Sequence, residues 1–230
     1  MKISIIGGAG RVGTAIAFAL IHSAKPQELV LIDIMKDAVK GEALDLGHAT
    51  VALSPGTKVV GTDDYGAIKG SNIVIFVAGR ARKPDETREA LLDFNSKITR
   101  IAAEKIKEYS PAAKVLVVTN PSTQLGAVMR ESTGFPSGQI IVMDNQLDTA
   151  RLKYYIAQET GLPVSQLKSY AKGEHGENME FAIKEKLTAE QAERAKTSTK
   201  EAGITIIKLK GHTCWGIASQ VAEEVKKLVK

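Results

Sequence analysis

The chain has 230 residues, with 31 Lys and Arg against 26 Asp and Glu and a net charge of +5. Hydrophobic residues make up 43% and charged residues 25%, which excludes collagen-like, low-complexity and intrinsically disordered chains. The one cysteine, Cys214, excludes an intrachain disulfide framework and a Cys-clustered zinc site.

A lone thiol fits a reducing compartment, and a cytoplasmic protein is expected. No apolar run approaches the about 18 residues that cross a bilayer. Ile73 to Ala78 is the longest near the middle, and Ile3 to Ile6 is too short for a signal peptide. No membrane association is expected. The positive charges are dispersed and aromatics are only 5% of the chain, so no basic stacking patch for nucleic acid is visible.

Lys2 to Ile6 is a short β-branched run that ends in glycines and reads as a buried strand. A helix is expected over 13–23, a strand over 28–34 and an amphipathic helix over 37–48. A weak strand (58–61), a strong strand (72–77) and a long charged helix (87–109) follow. Further strands are expected at 114–119 and 139–143. Each strand is a nearly continuous apolar run, and helices separate them. That pattern belongs to a parallel sheet covered on both faces. After Met143 the character changes to a helix (147–160), a weaker strand (166–170), a polar helix (187–201) and a terminal helix (216–230). The boundary is placed near 144, giving domains 1–144 and 145–230.

Gly8-Ala9-Gly10-Arg11-Val12-Gly13 fits G-x-G-x-x-G between a strand and a helix. In this fingerprint the first glycine allows a tight turn. The second lets backbone N–H groups approach a pyrophosphate, and the third lets helix and strand pack closely. The helix N-terminus presents its N–H groups to the phosphates. Asp33 ends the next strand, at the spacing of about 20 residues where the fingerprint places an acid for a ribose hydroxyl. Its charge disfavours a 2′-phosphate, so NAD is expected rather than NADP. A bare tight turn is the competing reading of the glycines alone.

Three polar stretches lie beyond the needs of a fold. Ala78 to Arg88 (AGRARKPDETR) directly follows the strong strand, at the sheet edge where ligands bind. Its arginines suit a carboxylate, which a guanidinium fork grips bidentately; a solvated basic loop is the competing reading of this stretch alone. Thr119-Asn120-Pro121 also follows a strand, where Asn120 either meets a ligand or opens a turn. Asp148 and Arg151 share a helix face, and His175 stands between glycines in GEHG. A histidine oriented by a carboxylate is a common general acid/base arrangement, and a satisfied core or surface residue is the competing reading of His175 alone. His22, His48, His212 and Cys214 read as packing or surface residues.

Taken together and in order, GGAGRVG, LVLIDI, AGRARKPDETR, VVTNP, NQLDTARLK, GEHGENM and KGHTCWG resemble the malate/lactate dehydrogenase family, most closely its archaeal-type malate dehydrogenases. The resemblance implies an α/β fold: a Rossmann doubly wound parallel sheet followed by a smaller α+β substrate domain. Family members continue past Lys230, so that second domain reads as C-terminally incomplete. The implied reaction is the NAD-dependent interconversion of malate and oxaloacetate. His175 is then the proton donor and acceptor, and Asp148 orients it. Arg151 clamps the substrate carboxylate, and Arg88 polarises the carbonyl. Arg82 pairs with a second carboxylate, Asn120 contacts the substrate, and Thr213 lines its pocket. Gly8, Gly10, Arg11, Val12, Gly13, Asp33, Asn95 and Thr119 are implied to bind the cofactor, and no metal is implied. A homodimer or homotetramer through the helix at 37–48 is implied as well. The chain departs from the family pattern at Asp85 and Asp144, where glycine is usual, and at Ser122-Thr123-Gln124. A lactate-like dehydrogenase and a nucleotide-binding module without turnover are the alternatives. A short-chain reductase is set aside, because its Tyr-x-x-x-Lys spacing occurs only at Tyr65 to Lys69, too early in the chain.

Overall fold

The first strand, β1 (Lys2–Ile6), is buried from Ile3 onward, including the polar Ser4. Ser4 is accommodated because its hydroxyl pairs with that of Ser71 at 2.7 Å. A strand buried on consecutive residues has both faces covered. The computed structural model, which describes residues 1–80, 87–173, 175–176 and 178–229 (the side chain of Arg88 excepted), shows how.

Five strands join β1: β2 (Glu28–Ile32), β3 (Lys58–Thr62), β4 (Ile73–Phe76), β5 (Lys114–Val117) and β6 (Ile140–Val142). They form one sheet in the order β3-β2-β1-β4-β5-β6, and every pairing is parallel. Four helices connect them: α1 (Arg11–Ser23), α2 (Lys36–Leu53), α3 (Arg88–Tyr109) and α4 (Ser122–Thr133). This is the doubly wound arrangement expected from the alternation of strands and helices. Its strand order reverses between β1 and β4, which is where such sheets bind ligands.

Ile6, Val30, Ile32, Val74, Phe76, Val115 and Val117 pack with Ala102, Ala103 and Ile106 of α3 and with Leu125 and Met129 of α4. Alternate strand residues, among them Ile3, Ile5, Leu29, Leu31, Ile73 and Ile75, point to the other face and are equally buried. Each such side chain contributes about 1.5–3 kcal/mol through its removal from water.

The chain divides into two compact units, Met1–Met143 with Val221–Lys230, and Asp144–Gln220. The sequence reading places all of 145–230 in the second domain, whereas the final segment groups with the first unit. The second unit holds α5 (Gln146–Thr160), the antiparallel pair β7 (Tyr170–Lys172) and β8 (Glu180–Ala182), and α6 (Ala189–Lys210). Helix α7 (Trp215–Leu228) follows. The core of the second unit is Leu152 and Ile156 of α5 with Leu167 and Ala195.

Several elements differ from expectation. Helix α4 lies where no element is expected. Its signals are Pro121 at its cap and Gly134 ending it at φ 69°. The weak strand falls at 170–172 rather than 166–170, and its partner β8 has no apolar run to announce it. Helix α6 extends past Glu201 to Gly211, from a capping box formed by Thr188 and Gln191. Among the described residues, no helix is long and apolar enough to cross a membrane.

Gly61 explains why β3 looks weak in the sequence. A Cβ there would stand 2.1 Å from the carbonyl oxygen of Val39 and 2.8 Å from the Cβ of Ala43, so α2 lies directly on the strand. Gly61→Ala is expected to lower the urea midpoint by the equivalent of about 1–3 kcal/mol. An unchanged midpoint would show that α2 can move away without loss.

Candidate active site

The glycine segment is built by backbone contact. Gly7 has φ 95°, in the left-handed region that glycine tolerates, and its N–H donates to the Ile32 carbonyl at 2.8 Å. A Cβ on Gly7 would meet the backbone nitrogen of Ala78 at 2.6 Å. The sequence reading assigned the tight turn to Gly8. Gly8 is a central residue of that turn, which the Gly10 N–H closes on the Gly7 carbonyl at 3.2 Å, and a methyl on Gly8 would meet the Cβ of Leu31 at 2.7 Å. A Cβ on Gly13 would fall 2.2 Å from the Gly7 carbonyl oxygen, so Gly13 sets how closely α1 approaches β1. Gly10 meets nothing closer than 3.4 Å and caps α1 without a side-chain bond. The first amides of α1, from Arg11, Val12 and Gly13, therefore form an uncapped positive helix end suited to phosphate.

Asp33 stands beside this loop. Its carboxylate accepts from the Ala9 N–H at 3.0 Å and the Met35 N–H at 3.1 Å. It lines a cavity of about 500 Å³ with Gly7, Gly10, Asp63, Tyr65, Gly79, Arg80 and Phe94. Ile34, Met35, Ile98 and Ile101 supply apolar walls. The guanidinium of Arg80 lies 4.3 Å from the ring centre of Phe94. Burial, and secondarily the charge of Asp33, push the Tyr65 hydroxyl above its ordinary pKa, so it is a neutral donor. A glycine cradle, a helix end and an acid around apolar walls fit a dinucleotide in size and chemistry. The wall residues and Tyr65 carry no sequence signal, because single apolar residues after strands look like loop residues. The large exposure of Ile34, 92%, is the signal the fold adds.

The ends of β4 and β5 are tied together. Thr119 donates its hydroxyl to the Ala78 carbonyl at 2.9 Å. Asn95, on α3, is wholly buried, and its amide bonds to the main chain of Arg80 and Asn120. Asn95 is expected to touch the cofactor, yet its amide is directed at backbone and none of it is exposed. Asn120 is exposed and precedes Pro121 through a cis peptide. Arg82 lies outside the described residues, as does the side chain of Arg88.

In the second unit, Asp148 occupies the first turn of α5 and is 1% exposed. One carboxylate oxygen lies 2.5 Å from His175 Nδ1, and the other 3.2 Å from Arg151 Nη1. A carboxylate only accepts, so Nδ1 carries the proton and Nε2 is presented outward. The His175 N–H donates to Asp144 at 3.3 Å, and Asn145 Nδ2 donates to the Gly173 carbonyl. The Ala171 N–H donates to the Thr149 hydroxyl at 3.0 Å, holding β7 to α5. Gly203 of α6 leaves room for the Arg151 guanidinium, 3.5 Å from where its Cβ would stand. The bond to Asp148 raises the His175 pKa, while burial opposes that rise. The structure thus brings together His175, Asp148 and Arg151. Thr213 is half-buried shortly before α7. Among the described residues, no cluster of three His, Cys, Asp or Glu side chains is placed to hold a metal.

Residues 1–142 match the family model for the lactate/malate dehydrogenase NAD binding domain, and residues 145–230 that for the alpha/beta C-terminal domain. The chain belongs to the lactate/malate dehydrogenase family. It is 37% identical to the malate dehydrogenase of Pyrobaculum aerophilum, over 99% of this chain and 78% of that one. The solved malate dehydrogenase of Archaeoglobus fulgidus, in complex with NADH, is 34% identical with a TM-score of 0.91, over 100% of this chain and 78% of that one. The lactate dehydrogenase of Eimeria maxima, solved with NADH and oxamate, is 26% identical with a TM-score of 0.92, over 100% and 74%. The cofactor unit is therefore an NAD-binding domain, and the resemblance to archaeal malate dehydrogenases holds over nearly the whole chain.

Because Asp148 raises the His175 pKa, the imidazolium persists to higher pH than for an ordinary histidine. In Asp148→Asn the titration midpoint of the His175 ring, followed by NMR, is expected to fall. An unmoved midpoint would show that the contact has no electrostatic weight.

Proposed function

We propose that the chain interconverts malate and oxaloacetate with NAD. The observation that carries this reading is the buried Asp148 carboxylate shared by His175 and Arg151, in a chain whose other unit is an NAD-binding domain of this family. When bound, NAD supplies or accepts the hydride.

The chain's own residues do the rest. The amides of Gly10, Arg11, Val12 and Gly13 hold the phosphates, with Gly8 shaping the loop. Asp33 accepts from ribose hydroxyls and opposes a 2′-phosphate. Thr119 flanks the nicotinamide side. Arg151 uses one nitrogen on Asp148 and has its remaining donors for the substrate's first carboxylate. Arg82 pairs with the second carboxylate, Arg88 polarises the carbonyl, and Asn120 and Thr213 complete the substrate pocket. His175 Nε2 gives its proton to the carbonyl oxygen in reduction and takes it back from the hydroxyl in oxidation. Asp148 stabilises the imidazolium left before reduction and formed after oxidation. Residues 80–88 close over the substrate and exclude water. Pyruvate would leave Arg82 without its partner in a closed site, which is costly and sets the preference for a dicarboxylate.

In this reading 1–144 serve the cofactor and 145–230 the substrate. The protein works in the cytoplasm, where Cys214 stays reduced. It assembles as a homodimer or homotetramer through α2, which exposes Leu44 and Val51. Light scattering after size exclusion is expected to give two or four chains, and a monomer would overturn that assembly.

Steady-state rates with oxaloacetate or pyruvate, and with NADH or NADPH, test the assignment. Oxaloacetate with NADH is expected to be preferred, and faster turnover of pyruvate would sink the malate reading. His175→Asn is expected to lower kcat about 10²–10⁴-fold while NADH still binds. The raised His175 pKa sets the pH profile. Reduction needs the imidazolium, so it is sustained below that pKa and lost as pH rises through it. Oxidation needs the neutral ring and follows the reverse course.

A further inference from the structure

Asn95 is buried to 0% exposure on α3, yet it carries a polar amide. A buried amide is retained only where its bonds are made. All of its described partners are main-chain atoms. Oδ1 accepts from the Arg80 N–H at 3.1 Å. Nδ2 donates to the Arg80 carbonyl at 3.4 Å and to the Asn120 carbonyl at 2.9 Å. One amide thus grips both polar groups of Arg80 and also the residue before Pro121.

The surroundings reinforce this grip. A Cβ on Gly79 would stand 3.1 Å from Asn95 Oδ1 and 2.5 Å from Thr119 Cγ2. Thr119 in turn holds the Ala78 carbonyl. The end of β4 and the end of β5 are therefore locked to each other and to α3. From these two ends spring the segment with Arg82 and Arg88, and Asn120 itself.

We infer that Asn95 is a positioning residue for substrate: its amide holds the roots of the two substrate-bearing segments in register and makes no contact with the cofactor. The role needs one acceptor and two donors on a short planar group. Aspartate has the shape but no donor, and it would set a carboxylate oxygen against two carbonyls. Serine is too short to span the two segments. A root displaced by about 1 Å is enough to cost on the order of 10²-fold in rate at a distant reacting centre.

This inference rests on the dehydrogenase reading, so its test has readouts that do not need turnover. Wild type, Asn95→Asp and Asn95→Ser are compared in three measurements: the NADH Kd by fluorescence titration, kcat and KM for oxaloacetate at saturating NADH, and amide hydrogen exchange over 77–80 and 118–121. The expected result is an NADH Kd within about threefold of wild type. It is accompanied by a loss of kcat/KM for oxaloacetate of about tenfold to a hundredfold in both variants. Exchange at Arg80 is expected to be faster in Asn95→Ser, which removes the acceptor of its N–H. An NADH Kd raised tenfold or more makes Asn95 a cofactor contact and overturns the inference. An unchanged kcat/KM overturns it as well. If wild type turns over neither oxaloacetate nor pyruvate, the dehydrogenase reading has failed. The clamp is then judged on Kd and exchange, and unchanged exchange at Arg80 overturns it. Asn95→Ser keeps the test decisive if Asn95→Asp does not fold.

Discussion

The contact on which the first unit depends is between backbones. Helix α1 comes so close to β1 that Gly13 leaves no space for a methyl group against the Gly7 carbonyl. The same loop presses on the start of the segment after β4, where Gly7 faces Ala78. From that single approach follow the uncapped helix end, the position of Asp33 beside the loop, and the depth of the cavity between them. Side chains enter only at the walls. Fixed amide dipoles at such a helix end are suited to an anionic group.

The second unit solves a different problem, that of keeping a carboxylate charged out of water. Asp148 is buried, and an isolated buried charge is strongly unfavourable. His175 on one oxygen and Arg151 on the other offset that cost. The arrangement has chemical consequences beyond stability. It chooses the histidine tautomer, turns Nε2 outward and raises the proton affinity of the ring. It also directs the guanidinium, because one nitrogen is engaged and the others are set in a plane. Asp144, which takes the His175 N–H, anchors the same segment through its main chain.

The two units differ in how their parts announce themselves. The parallel sheet was legible because strands buried on both faces are apolar without interruption, as β1, β2 and β4 are. The glycine spacing and Asp33 were legible because a phosphate cradle constrains both residue type and distance. Asp148 with Arg151 was legible because three residues on a helix give one face. Helix α4 and strand β8 were not, since the first is polar and short and the second is made by pairing with β7. Tyr65 and Phe94 were hidden because a lone aromatic carries no period and no motif.

By itself, then, the sequence determined the class of fold, the glycine loop between β1 and α1, and the pairing candidates Asp148, Arg151 and His175. All of these rest on local spacing, which the chain carries in its order. Only the tertiary structure decided which groups those residues meet. It added Gly7 to the glycines the loop requires, because the approach of Ala78 comes from a segment far along the chain. It set the amide of Asn95 against the main chain of Arg80 and Asn120, on two separate segments that only the sheet brings side by side. Contacts between distant segments depend on how the layers stack, and no local pattern encodes that.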